Sequence, residues 1–193
     1  MTETGVLRNW LFSGLVVDDV LQRLEREGVA VRPDGDPGAL QRVLSLENFS
    51  RDVRRDAMEA LPAYLALFCL ENAVRELVAE RLAENHGSSW WDECAPSKVA
   101  QKATDRQEKE GKARWHAQRG AHAIHYTDFG DLKGIIVKNW TDFDDLLPDR
   151  NWVTSRLDEF EASRNVIAHS NVLEAREVDR MRLYLEDWAR QVG

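Results

Sequence analysis

The chain has 193 residues, a formal net charge of −8, 43% hydrophobic residues and 31% charged ones. That length suits one domain with a substantial core, and the acidic balance excludes a protein that grips nucleic acid over its whole surface. Two cysteines, Cys69 and Cys94, exclude the disulfide framework of a small secreted protein. The longest apolar run, residues 61–70, contains Pro62 and is too short to cross a bilayer. The opening MTETGVLRNW lacks the basic start and apolar stretch of a secretory signal, so a cytoplasmic protein with no membrane partner is expected.

Nearly every segment has helical period, and none alternates as a strand does. Trp10, Val17, Val20, Leu21 and Leu24 mark a first amphipathic helix, closed by Gly28 at a C-cap position. RPDGDPG (residues 32–38) reads as a loop whose Asp36 and Pro37 open a short helix with Leu40, Val43 and Leu44. A long helix over residues 57–85 follows, ended by His86-Gly87-Ser88-Ser89. Its Leu61, Leu65, Leu67, Phe68, Leu70, Val74, Leu77, Val78 and Leu82 cover more than one side, which predicts a central position.

Residues 98–119 read as an exposed polar helix weakened at Gly111. Asp128 and Asp131 open the next helix, with Leu132, Ile135 and Ile136, and Thr141-x-x-Asp144 resembles a capping box before Leu146 and Leu147. The last two helices are expected over residues 150–169 and 172–191. Asn171, with Glu174 three residues on, is placed to cap the second, whose stripe is Val178, Met181, Leu185 and Trp188. No repeat or linker interrupts the chain, so the expected fold class is a single all-α helical bundle over residues 1–193.

Charge is unevenly spread. Residues 98–119 hold seven Lys or Arg against Asp105, Glu108 and Glu110, a balance of +4, whereas residues 128–149 hold six Asp against two Lys, a balance of −4. Such a run is ordinarily a solvated helix face. A weak RNA-facing strip of Lys98, Lys102, Arg106, Lys109, Lys112 and Arg114 is the other reading.

Two helices break their apolar pattern with charge. Val153, Leu157, Phe160, Arg164 and Ile167 fall within roughly 80° of arc, so Arg164 stands where a leucine belongs. A guanidinium there must be paired, line an interface or reach into a cleft. In the long helix Tyr64, Phe68, Glu71, Arg75, Val78 and Leu82 form a similar stripe, with Glu71 and Arg75 as an i, i+4 pair in the favourable order. A structural ion pair that includes Arg164 and a support beneath a site are compatible readings. His169 follows Arg164 by five residues, about 140° around an ideal helix, with Asn165 and Asp158 on its own side. Either the helix loosens at His169, or two chains juxtapose the groups across a two-fold axis. A lone histidine at a helix C-terminus is ordinarily favourable capping electrostatics.

Arg164-Asn165 followed by three residues and His169 resembles the R-x4–6-H signature of the HEPN superfamily, and Glu71-x-x-x-Arg75 resembles its E-x3-K/R element. The runs HYTDFGDLKGIIVKNW, RNVIAHSNVL and EVDRMRLYLEDW are similar to one branch, that of the C-terminal domain of a fungal RNA-surveillance endonuclease. The likeness covers residues 57–191 as a core, with residues 1–45 as an N-terminal helical extension. It implies an α-helical bundle that dimerises, with paired motifs forming a composite cleft in a metal-independent endoribonuclease that needs no cofactor. His169 would be the general acid/base, Arg164 would stabilise the phosphorane and Asn165 would orient the imidazole or a phosphate oxygen, with Glu71 and Arg75 in support. Histidine's ordinary pKa of roughly 6.5 suits proton transfer, and a guanidinium fork suits phosphate. The implied partners are RNA, a second copy of the chain, and an antitoxin or defence-system protein if the enzyme is a toxin or anti-phage effector. A non-catalytic HEPN module that binds RNA or a protein is the alternative.

Other signals are weaker. Asp128-Phe129-Gly130 matches the kinase metal-binding tripeptide, but no Gly-rich loop or catalytic-loop motif accompanies it. His116, His122 and His125 with Cys94 match no standard zinc spacing, so no metal is expected. Trp90, Trp91, Trp115, Trp140, Trp152 and Trp188 are available to stack bases, though core or partner contacts at helical spacing explain most of them.

Overall fold

The computed structural model describes residues 44–113 and 115–192. The expected first helix (Trp10 to its Gly28 cap), the loop at residues 32–38 and the positions of Leu40 and Val43 lie outside the described residues. The protein is all-α, with no strand among the described residues. Its helices are α1 (Arg51–His86), α2 (Trp90–Cys94), α3 (Ser97–Lys112), α4 (Phe129–Lys138), α5 (Arg150–Ala168) and α6 (Ala175–Val192). By compactness the chain divides into residues 1–62 and residues 63–192. In the first unit the described residues hold the 3-10 turn Leu46–Asn48 and the opening of α1, where Val53 N–H donates to Ser50 Oγ at 3.4 Å. Pro62 lies inside α1 and has no N–H to donate one turn back.

The second unit holds the core. From α1 it takes Ala63, Leu67, Leu70, Val74, Val78 and Leu82, five of them among the expected apolar positions, while Tyr64 and Phe68 are exposed. By length and composition α1 is apolar enough to cross a bilayer, with a mean hydropathy of 1.2 over its richest window. Those six side chains are packed into the protein core. Leu132, Ile135 and Ile136 of α4 and Val153 and Leu157 of α5 are fully buried. Phe129 stacks on Phe160 at 5.9 Å to join α4 to α5, and Trp152 stacks on Trp188 at 5.9 Å to join α5 to α6. Burying one such side chain stabilises by about 1.5–3 kcal/mol, more than a surface ion pair returns, so the apolar stripes set the packing.

Three local expectations change. Residues 140–147 form a 3-10 turn (Trp140–Asp142) and further turns without a helix, because Pro148 follows at once and Asp149 caps α5 by accepting from Trp152 N–H at 2.9 Å. Helix α6 begins at Ala175, with Glu174 N–H donating to Glu177 Oε2 at 2.8 Å, while Asn171 Nδ2 donates to the His169 carbonyl. Helix α3 stops at Lys112, one residue past Gly111. Gly87 takes a φ of 73° just after α1, the left-handed conformation that glycine adopts most easily.

The turn Ala123–Tyr126 is tied by two histidines. His122 Nδ1 accepts from Ile124 N–H at 3.2 Å, and His125 Nδ1 accepts from His122 N–H at 3.3 Å. The His122 ring stacks on Trp90 at 5.3 Å, and a Cβ on Gly120 would fall 2.3 Å from His125 Nδ1, which explains the glycine. Burial, and then the neighbouring His125, push the His122 pKa below 6.5. The neutral ring is the form the fold stabilises, so its contribution is complete above pH ~6.5 and is lost as pH falls below that value.

Helix α4 starts with a reciprocal capping box. Asp131 N–H donates to Asp128 Oδ1 at 3.0 Å and Asp128 N–H donates to Asp131 Oδ2 at 3.2 Å. Arg106 donates to Asp128 and Asp131 at 2.8 and 2.9 Å, and Lys102 donates to both at 3.0 and 2.9 Å. Burial alone would push the Asp128 carboxyl up, but bonds from Arg106, the Asp131 N–H and Lys102 outweigh it and hold the pKa well below its ordinary 3.8. Asp128→Asn keeps the cap and removes the charge, so a loss of about 1–2 kcal/mol is expected, with Asp128→Ala worse by a further ~1 kcal/mol. The depressed pKa stabilises above pH 3.8 and that stability disappears below it, so a denaturation series from pH 6 to pH 2 should flatten in Asp128→Asn. A melting series from pH 7.5 to pH 5 checks the His122 assignment: the wild type should lose stability and His122→Asn should lose less.

Candidate functional site

Helix α5 leaves the core as it nears its end. Val153, Leu157 and Phe160 are buried, and one turn on, Arg164 continues the same line with its side chain 41% exposed. Its Nε lies 3.9 Å from Glu71 Oε2 on α1, and Nη1 donates to Asn165 Oδ1 at 3.4 Å. Arg164 thus stands at the edge of the Glu71–Arg75 ion pair, within ion-pair range of Glu71 and without a hydrogen bond to it.

The other Glu71 oxygen accepts from Arg75 Nη2 at 2.7 Å, with the two side chains only 16% and 11% exposed. Arg75 also donates to Asn72 Oδ1 at 2.7 Å and to the Thr127 carbonyl at 3.0 Å. Its Nε is buried without a partner among the described residues, a penalty of about 1–3 kcal/mol that its three bonds must offset. Asn72 and the Thr127 carbonyl were not legible as partners: Asn72 carries no pattern of its own, and a carbonyl in a turn has no side-chain signature.

His169 stands apart. It is the C-cap residue of α5, at φ −93° and ψ 20°, and its N–H bonds back to the Asn165 carbonyl at 3.1 Å. Ser170 follows at φ 59°, so the chain turns away immediately. The His169 side chain is exposed and has no hydrogen-bond or ion partner among the described residues. Asp158, expected on the His169 side, is paired with Lys133. The structure thus joins Glu71, Arg75, Arg164 and Asn165 into one chain of contacts and leaves His169 beyond it.

The basic strip divides. Lys102 and Arg106 are bound into the Asp128 and Asp131 network, whereas Lys98, Lys109 and Lys112 are exposed and form no ion pair with another described residue. Arg114 lies outside the described residues. No group of three or more His, Cys, Asp or Glu among the described residues is placed to hold a metal ion. Cys94 is buried, and that burial pushes its thiol pKa up.

An all-helical domain thus holds Arg164 near the Glu71 carboxylate, five residues before the exposed His169. The Swt1-like HEPN family matches residues 65–193, and the chain belongs to that family. Neither a curated protein nor a solved structure matches it. HEPN domains are generally ribonucleases or RNA-binding modules, and they commonly dimerise.

The unequal exposure of the two Glu71 pairs gives a measurable ordering. Double-mutant cycles by chemical denaturation should return a coupling of about 1–3 kcal/mol for Glu71 with Arg75. Glu71 with Arg164, longer and more solvated, should return less than about 1 kcal/mol.

Proposed function

We propose that this chain is a metal-independent endoribonuclease of HEPN type, acting on RNA in the cytoplasm as a homodimer. The observation that supports it is the anchored Arg164. Its carboxylate partner is held by Arg75 from below, while 41% of the Arg164 side chain stays open to solvent. A purely structural arginine would gain most from full satisfaction, and this one keeps donors free for phosphate.

In this reading His169 takes the proton of a ribose 2′-hydroxyl or gives one to the departing 5′-oxygen. The 2′-oxygen bonds to phosphorus as the bond to the 5′-oxygen breaks, leaving a 2′,3′-cyclic phosphate and a 5′-hydroxyl. Arg164 stabilises the charge that builds on the phosphorane, and Asn165 orients the imidazole or a phosphate oxygen. DNA lacks the nucleophile and is spared. Arg164 and His169 diverge by about 140° on an ideal helix, so the complete site draws on two copies of the chain related by a two-fold axis. A self-directed or phage-directed ribonuclease of this kind is a toxin or anti-phage effector, with an antitoxin or defence-system protein as its partner. The net charge of −8 favours the second reading, a non-catalytic module that binds RNA or a protein.

The test is purified protein with RNA in excess chelator, beside Arg164→Ala and His169→Ala. Both side chains lie outside the core, so the variants should fold. The wild type should generate cyclic-phosphate ends, and each variant should lose about a hundredfold or more in rate. No cleavage of any RNA by a wild type that still binds RNA or a protein would establish the non-catalytic module instead. A strict monomer in the presence of RNA would remove the composite site.

A further inference from the structure

Trp115 is 81% exposed, the most exposed of the large hydrophobic side chains described. It does not sit on a loose end. His116 N–H donates to the Ala113 carbonyl at 3.0 Å, closing a turn that carries Trp115 at its tip, and Ala113 itself caps α3 by donating to the Glu110 carbonyl at 2.9 Å. Farther along, Arg119 ties the loop back to α3, with Nε 2.6 Å from Glu110 Oε1 and its guanidinium 5.8 Å from the Tyr126 ring centre. The His116 ring lies 6.1 Å from the indole. A pinned turn thus holds an indole out in water, beside an imidazole.

The charges around it sort into used and unused. Lys102 and Arg106 are bound to Asp128 and Asp131, and Arg119 is bound to Glu110. Lys109 and Lys112 occupy the last turn of α3, three residues apart on one face, exposed and without an ion pair to another described residue. Lysines at a helix C-terminus already favour the helix dipole, so their position alone says little. Glu110, the acid between them in sequence, is bound to Arg119, and the exposed Glu108 stands just before Lys109. The neighbouring Ala117, Gln118 and Arg119 are exposed and add no large apolar side chain beside the indole. A single exposed ring three and six residues beyond two exposed lysines fits a base and its phosphates.

We infer that the Trp115 turn is a second RNA-contacting element, on which an unpaired base stacks while Lys109 and Lys112 take flanking phosphates. This rests on the ribonuclease reading for the identity of the polyanion, and it narrows the substrate to RNA with single-stranded segments. A duplex keeps its bases stacked on one another and offers Trp115 nothing but a terminal pair.

Binding separates this inference from catalysis. A fluorescent 12-nucleotide unpaired RNA is titrated by anisotropy, in chelator, against full-length His169→Ala protein with and without Trp115→Ala. Loss of Trp115 should weaken binding about tenfold, and Trp115→Phe should recover most of it. Replacing Lys109 and Lys112 by Gln should lower the slope of log affinity against log salt by about 1.4. A blunt duplex of the same sequence should bind more weakly and ignore Trp115. Affinity for unpaired RNA within twofold of the parent after Trp115→Ala, or equal affinity for duplex and single strand, would overturn the inference. If the Trp115-dependent affinity is present while the wild type cleaves nothing, the element stands and the nuclease reading falls. If the wild type cleaves, and Trp115→Ala changes neither affinity nor cleavage, the reverse holds.

Discussion

Arg75, Lys102 and Arg106 converge from α1 and α3 on residues 126–131, the turn that launches α4. Arg106 donates to the Tyr126 carbonyl and to both aspartates, Lys102 to both aspartates, and Arg75 to the Thr127 carbonyl. Two carboxylates this close would repel in a half-buried setting, and one cation would leave the second uncompensated. Lys102 and Arg106 together let the capping box close while Arg75 fixes the Thr127 carbonyl beside it, and α4 can then bury Leu132, Ile135 and Ile136 at full depth. The Phe129–Phe160 stack carries that position to α5, and α5 carries it to Arg164. The placement of the site is therefore inherited from the salt-bridged turn that launches α4.

Arg75 connects these regions directly. One guanidinium fixes the Thr127 carbonyl, Asn72 and Glu71, and Glu71 passes the constraint to Arg164. The gradient of exposure along this chain, from 11% at Arg75 through 16% at Glu71 to 41% at Arg164, matters for what each can do. The inner pair is desolvated enough to be rigid and has little freedom to meet a ligand. Arg164 keeps a 3.9 Å contact to Glu71 and a 3.4 Å bond to Asn165, with 41% of its side chain open to solvent. Support and contact are divided between residues on different helices.

Much of this was readable in the residues. Period 3.6 located α1, α4, α5 and α6 to within a few residues, and the break in that period at Glu71, Arg75 and Arg164 marked three groups that do touch. The errors have physical sources. Tyr64 and Phe68 fit an apolar stripe by spacing, but Ala63, Leu67 and Leu70 fit another, and a helix with two apolar lines does not say which one the neighbours will cover. Thr141 and Asp144 have capping-box chemistry but no room for a helix before Pro148. Asn171 had the right side chain for a cap, and the left-handed Ser170 beside it delays the helix to Ala175. Acceptors such as the Thr127 carbonyl are invisible to any reading based on side-chain type.

The charge blocks show how a net figure misleads. The +4 of residues 98–119 and the −4 of residues 128–149 read as solvated faces, with a weak RNA-facing strip as the other reading of the first. To a large extent they neutralise each other or nearby groups. Lys102 and Arg106 belong to Asp128 and Asp131, while Asp142 bonds His86 and Asn85 and Asp145 pairs with Arg81. Subtracting these engaged charges leaves less of either sign on display at these elements than the sequence suggests. Arg164 at the end of α5, and Lys98, Lys109 and Lys112 on α3, are among the cations that stay open to solvent at these elements. Pairing removes acids and cations in equal numbers, so the net charge of −8 stays on the protein and any basic contact is local, as at the exposed Lys98, Lys109 and Lys112 of α3.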